Sequence, residues 1–180
     1  MLKTIKGALL PLAISTLLLP SAYAENKIYV GGGFSALDYS EDGVSDDASL
    51  SVIYGRVGMH FNENFSGELR AGFGVGDDDV DFLGTNANVE LKNTYGAYFR
   101  AGIPAETVFP YVILGYTSGK VEGEFAGIGT FDESESSFSY GIGADVSISE
   151  GIKINAEYMD FLDSDGAEVT GFNIGLIFNL

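Results

Sequence analysis

Residues 138–162 read FSYGIGADVSISEGIKINAEYMDFL, and their alternation decides the fold. In the first arm Phe138, Tyr140, Ile142, Ala144, Val146 and Ile148 fall on one face. Ser139, Gly141, Gly143, Asp145 and Ser147 fall on the other. Ser149-Glu150-Gly151 makes a short turn. The second arm resumes with Ile152, Ile154, Ala156 and Tyr158 against Lys153, Asn155, Glu157 and Met159. Successive side chains of a β-strand point to opposite sides, so a period of two over this length means a hairpin. Each arm is about 10 residues, the length a tilted strand needs to cross a bilayer. One face is apolar and uncharged; the other holds Asp145, Lys153 and Glu157. That is the pattern of a membrane barrel. A soluble sandwich would need a second sheet to cover the apolar face.

The pattern recurs outward from this hairpin. Earlier strands are expected at 27–37, 49–61, 65–76, 89–103 and 109–117, and a last one ends the chain. Ile53, Val57, Met59, Leu69, Ala71 and Phe73 are expected to face out, with Tyr54, Arg56, His60, Glu68 and Arg70 facing in. In the 89–103 strand Leu91, Tyr95, Ala97 and Phe99 face out, and Glu90, Lys92, Thr94, Tyr98 and Arg100 face in. Asn93 lands on the outer face and is the one misfit. Two registers fit 109–117, with either Val112, Leu114 and Tyr116 or Tyr111 and Ile113 toward lipid. The last strand puts Phe172, Ile174, Leu176, Phe178 and Leu180 on one face. An even count of strands results, with both termini on one side. The connections at 62–64, 104–107 and 149–151 are short; the others are longer and acidic. Short periplasmic turns and long outer loops are the asymmetry of an outer-membrane barrel.

Residues 1–24 read as a cleaved secretory signal peptide: Lys3 and Lys6, an apolar run from Ala8 to Leu19, and a small-x-small site at Ala22-Tyr23-Ala24. Residues 25–180 form the mature domain. No later apolar run approaches the roughly 18 residues of a helical span. Only helices and closed barrels satisfy their backbone in lipid, so an exported chain of alternating strands with uncharged outer faces points to the barrel. The chain has no cysteine, hence no disulfide and no thiol for a lipid anchor. The net charge is −17, and without the two leader lysines seven basic residues face 26 acidic ones, a balance of −19.

Residues 55–74 (GRVGMHFNENFSGELRAGFG), 109–116 (FPYVILGY), the 138–162 hairpin and 171–180 (GFNIGLIFNL) together resemble the eight-stranded outer-membrane protein barrels of the OmpA/OmpX type. The resemblance covers essentially the whole mature chain. It implies an all-β, eight-stranded antiparallel up-and-down transmembrane β-barrel in a Gram-negative outer membrane, acting as a membrane-anchored structural or surface-interaction module. Some members carry a periplasmic peptidoglycan-binding domain after the barrel; with Leu180 last, none is expected here. The family's last residue is usually aromatic, whereas here it is Leu180, with Phe178 two before it.

Two constellations carry chemistry. The inward charges are Arg56, Arg70, Lys92, Arg100 and Lys153 against Glu68, Glu90, Asp145 and Glu157. An eight-stranded barrel is only wide enough for side chains to fill. The expected result is a lumen packed with ion pairs, with Gly58, Gly72, Gly74, Gly96, Gly141 and Gly143 leaving room for the long charged chains. A proton or ion path is the functional alternative. The outer loops hold eighteen acids, grouped around Asp38–Asp47, Asp77–Asp81, Glu122–Glu135 and Asp160–Glu168. Like charges in blocks are solvated surface first and oxygen-ligand Ca²⁺ sites second. The metal candidates are Asp77, Asp79, Asp81, Asp163 and Asp165, none with full calcium-loop spacing. Divalent ions bridging these acids to lipopolysaccharide in the surrounding lipid are the expected partner chemistry, with no nucleic acid, no cofactor and a monomeric barrel. Catalysis is poorly supported. His60 is the only histidine, and it lies beside a periplasmic turn. Structural and surface-interaction work is therefore expected. A small porin or narrow channel is the first alternative and a lipid A-modifying barrel enzyme the second.

Overall fold

The structure is a computed structural model that describes residues 28–41, 48–75, 78–82, 85–125, 129–164 and 167–180. Within these strands it describes side chains except at 41, 48, 78–82, 85–90, 121–125, 129–133, 162–164 and 167. The leader, Lys27, Asp77 and Asp165 lie outside the described residues.

Nine strand segments run β1 (Ile28–Glu41), β2 (Ala48–His60), β3 (Phe65–Gly74), β4 (Asp78–Phe82), β5 (Thr85–Gly102), β6 (Val108–Phe125), β7 (Gly129–Ser149), β8 (Ile152–Ser164) and β9 (Ala167–Asn179). All pairings are antiparallel, and β1 pairs with both β2 and β9. The ladder of β3 on β5, from Phe65↔Ala101 to Gly72↔Thr94, closes the sheet on itself. Beyond it β4 takes over the same flank of β5, from Asp78↔Val89 to Phe82↔Thr85. β3 and β4 thus share one wall position, and the closed barrel has eight. Closure leaves no strand edge in lipid, which a bilayer demands.

The two faces are sorted as a membrane requires. Leu69, Phe73, Phe99, Leu114, Ile142, Ile174 and Leu176 are exposed on the outside, Ile142 to 64%. Arg56, Glu68, Arg70, Arg100, Asp145 and Glu157 are buried inside. The open register of the 109–117 strand resolves to Val112, Leu114 and Tyr116 outward; Tyr111 (4% exposed) and Ile113 (0%) are lumen residues.

Leu91 departs from expectation. It is 6% exposed and packs inward against Leu37, Val52 and Tyr54. The β5–β6 register shifts between Leu91 and Asn93, a bulge that inserts one residue and reverses the phase above it. Asn93, the misfit of the alternation, marks this bulge.

The strands are unequal in height. β6 and β7 pair without interruption from Val108↔Val146 to Phe125↔Gly129, far beyond Tyr140↔Asp160, where β8 stops pairing with β7. The longest connection, at 118–134, is expected to be a loop that can extend the hairpin above the membrane, and its described residues form this extension; the expected loop at 77–88 instead contains β4 and the start of β5. Beyond the closed ring, β4-β5-β6-β7 therefore continue as an open four-stranded sheet. Replacing Ile142, near the middle of its lipid-facing arm, by Arg is expected to destabilise the folded barrel by about 2–4 kcal/mol. Urea unfolding in lipid vesicles measures this.

Candidate functional site

The lumen is narrow, so side chains from opposite walls meet at its centre. Arg70 of β3 forms a two-pronged pair with Glu157 of β8: Nη1 donates to Oε2 at 2.6 Å and Nη2 to Oε1 at 2.8 Å. Its Nε donates to Glu68 Oε1. Arg56 of β2 lies 3.4 Å from Glu68 Oε2 and 3.6 Å from Glu157 Oε1. Arg100 of β5 donates from Nη2 to Asp145 Oδ2 of β7 at 2.6 Å, with Nη1 3.5 Å from Glu68 Oε2. Three guanidiniums and three carboxylates thus form one cluster. Fork-to-carboxylate geometry makes such contacts directional as well as strong.

Neutral polar groups complete it. Tyr29 of β1 donates to Glu68 Oε2 at 2.9 Å. Tyr111 of β6 donates to Glu157 Oε1 at 2.5 Å, and Asn173 of β9 donates to Glu157 Oε2 at 3.2 Å. Asn155 of β8 accepts from Arg56 Nη2 at 2.7 Å and donates to Asp145 Oδ1 at 2.8 Å. Every one of the eight wall positions therefore supplies a member. Aromatic faces hold the guanidiniums from the side: Arg100 lies 3.8 Å from the Tyr111 ring centroid, and Arg70 4.8 Å from that of Tyr98. Arg56 Nε, Arg100 Nε and Asn173 Oδ1 are buried without a hydrogen-bond partner, so the satisfaction is incomplete at three atoms of the cluster.

The tyrosines occupy the room that the glycines leave. Directly across the ladders Tyr29 faces Gly58, Tyr54 faces Gly33, Tyr98 faces Gly115 and Tyr111 faces Gly143. A Cβ added at Gly58 would overlap the Tyr29 ring, and one at Gly96 or Gly115 the Tyr98 ring. This corrects the expectation that glycines make room chiefly for charged chains; of the lumen carboxylates and guanidiniums, Glu157 at Gly143 and Arg56 at Gly31 come within reach of such a Cβ.

Of the nine charges expected in the lumen, Arg56, Glu68, Arg70, Arg100, Asp145 and Glu157 meet in the cluster. Lys153 lies half-buried nearer the short turns, 6.0 Å from the Phe109 ring centroid. Lys92 is half-buried beside the bulge, and the Glu90 side chain lies outside the described residues. Tyr29, Asn155 and Asn173 join the cluster although no charge marks them in the sequence, and Tyr111 joins it although two registers fit its strand. An inward Tyr facing a Gly across the ladder is the signal that finds the tyrosines. Asp79 and Asp81 are placed in β4 and Asp163 in β8 by backbone only. Among the described residues no group of three or more His, Cys, Asp or Glu is placed to hold a metal ion.

On the side of the long connections, Leu37, Val52, Tyr54 and Leu91, with Leu50, Phe161 and Val169, form an apolar layer over the cluster. Removing Glu68 by Ala strands parts of Arg56, Arg70 and Arg100 and is expected to cost ~3–5 kcal/mol, read as a lowered urea midpoint in micelles. Gly58→Ala is expected to cost about 1–3 kcal/mol in the same assay by pushing on the Tyr29 ring.

Comparisons with known proteins agree with this architecture. The family described as outer membrane protein beta-barrel domain matches residues 8–179. Among solved structures, Ail, the attachment invasion locus protein of Yersinia pestis, superposes with a TM-score of 0.66 at 18% identity, covering 87% of this chain and 100% of that one. The outer membrane protein OprG of Pseudomonas aeruginosa gives 0.61 at 16% identity, covering 86% and 96%. Neisserial surface protein A gives 0.55 at 14% identity, covering 85% and 97%. Comparison with curated protein sequences finds no match. With an uninterrupted closed barrel, an apolar exterior and a family match over nearly its full length, the chain belongs to the outer membrane protein beta-barrel domain family and is a β-barrel of the Gram-negative outer membrane.

Proposed function

We propose that the barrel is a non-conducting membrane anchor that presents an acidic surface outside the cell. The observation that carries this reading is the open sheet β4-β5-β6-β7, which extends past the closed ring on the side of the long connections. Its segments hold Asp78, Asp79, Asp81, Glu90, Glu122, Glu124, Asp132, Glu133 and Glu135 in sequence. With Lys120 a basic residue among these acids, the platform is strongly acidic; it repels polyanions and attracts cationic partners and divalent ions. Divalent cations bridging these carboxylates to lipopolysaccharide phosphates are the partner chemistry that follows, and the barrel works as a monomer. Acid on the outermost strands also guards the open sheet edges against pairing with other chains.

The filled centre supports the non-conducting half of the proposal. A pore needs a continuous aqueous path, whereas here buried ion pairs and the apolar layer above them occupy the lumen. No observation favours the porin alternative. The non-enzymatic reading draws support from His60, which ends β2 beside the short turn and packs on the Tyr29 ring, with centroids 4.9 Å apart. General acid–base work on lipid headgroups at the cell surface would need such a group at the opposite rim. Reconstitution in planar bilayers is expected to give no stepwise conductance at neutral pH. Steady open-channel steps that persist after repurification would overturn the proposal.

A further inference from the structure

The lumen does not balance its own charge. Among the described residues, from the central cluster down to the short-turn end, it holds four basic residues, Arg56, Arg70, Arg100 and Lys153. Three carboxylates face them, Glu68, Asp145 and Glu157. The three arginines are bound to the three acids, so the surplus falls on Lys153. Its ammonium lies near the Phe109 ring, and no carboxylate of the described residues pairs with it.

Lys153 lines a cavity of about 520 Å³ at the periplasmic mouth. Asn62 and Pro104 from two short turns and Gly151 from the third also line it, so it opens toward the periplasm. His60, Thr107, Ser147 and Asn179 supply polar groups around it. The competing acids are accounted for. Asp145 is engaged by Arg100 and Asn155. Glu63 lines the outer edge of the cavity, Glu106 sits between its lining residues Ala105 and Thr107, and Glu150 sits in the neighbouring turn; all three are solvent-exposed, where water and salt screen them. The cavity is a vestibule lined by residues of this mouth, with Lys153 among them.

We propose that this vestibule is a binding site for a small anion of the oxyanion class, phosphate- or carboxylate-sized, that enters from the periplasm and neutralises Lys153. A lysine ammonium is a compact point charge suited to such a ligand, and the surrounding hydroxyl and amide groups donate hydrogen bonds to its oxygens. The chain as a whole repels anions, so selective uptake at this mouth is a property of the vestibule and not of net charge.

The test uses the folded chain in a non-ionic detergent, with inorganic phosphate as the probe and a bulky sulfonate keeping ionic strength constant. His60 is the only histidine, so its ring proton resonance reports on the vestibule without ambiguity. The expected result is a saturable shift of that resonance with phosphate. Lys153→Gln weakens binding by at least about tenfold, while Lys153→Arg, which keeps the charge, and Lys120→Gln, in the extended sheet, keep it within about twofold. Heat-dependent gel mobility confirms that each variant is folded. A shift that rises linearly without saturating in the parent protein, or Lys153→Gln titrating like the parent, would overturn the site.

Discussion

The Arg70–Glu157 fork is the interaction on which the molecule turns. It spans the lumen from β3 to β8, and the other charged groups are arranged around it. A charge withdrawn from water costs several kcal/mol unless it is paired and hydrogen-bonded. Three positive and three negative groups at the centre of a narrow barrel therefore make sense only when all the walls are in place. No pair of neighbouring strands can satisfy the cluster, because its members come from all eight wall positions. The cluster thus rewards closure, and closure is what the bilayer demands of the backbone. Inside and outside are two solutions to one problem: polar groups that lipid will not accept are turned toward each other.

Filling follows from the same narrowness. Four tyrosines face glycines across the ladders, so each large ring meets a wall position with no side chain. The rings bury their faces against the guanidiniums, and two of their hydroxyls reach the carboxylates. With the apolar layer of Leu37, Val52 and Leu91 above, the centre is a packed core built largely from polar residues. A barrel packed this way is suited to hold something at the membrane rather than to pass something through it. In the proposed function the extended sheet is the part that meets a partner.

Much of this was legible in the alternation. Asp145 and Glu157 fall on the opposite face from Ile142 and Tyr158, and no other period accommodates them. The failures have local causes. Leu91 was placed outward because a period of two knows nothing of a bulge, although Asn93 signalled that the phase had slipped. Tyr111 and Ile113 were undecided because both faces of that strand are apolar; the glycine opposite Tyr111 breaks the tie only once the pairing is known. Lys153 shares its face with Glu157 but sits four residues nearer the turn, and that distance along the axis takes it out of the cluster. Alternation reports which face a residue is on, not how far along the barrel it lies or whether a partner waits there.

The most direct measurement is a double-mutant cycle on Arg70 and Glu157, read by urea unfolding in micelles. Arg70→Met and Glu157→Met each leave a charge stranded in the lumen, whereas the double variant leaves neither of the two. Mutual dependence predicts that the double variant loses less than the two single losses added, with a coupling of about 2 kcal/mol or more. Losses that add to within about 0.5 kcal/mol would contradict the claim that the cluster holds the barrel together.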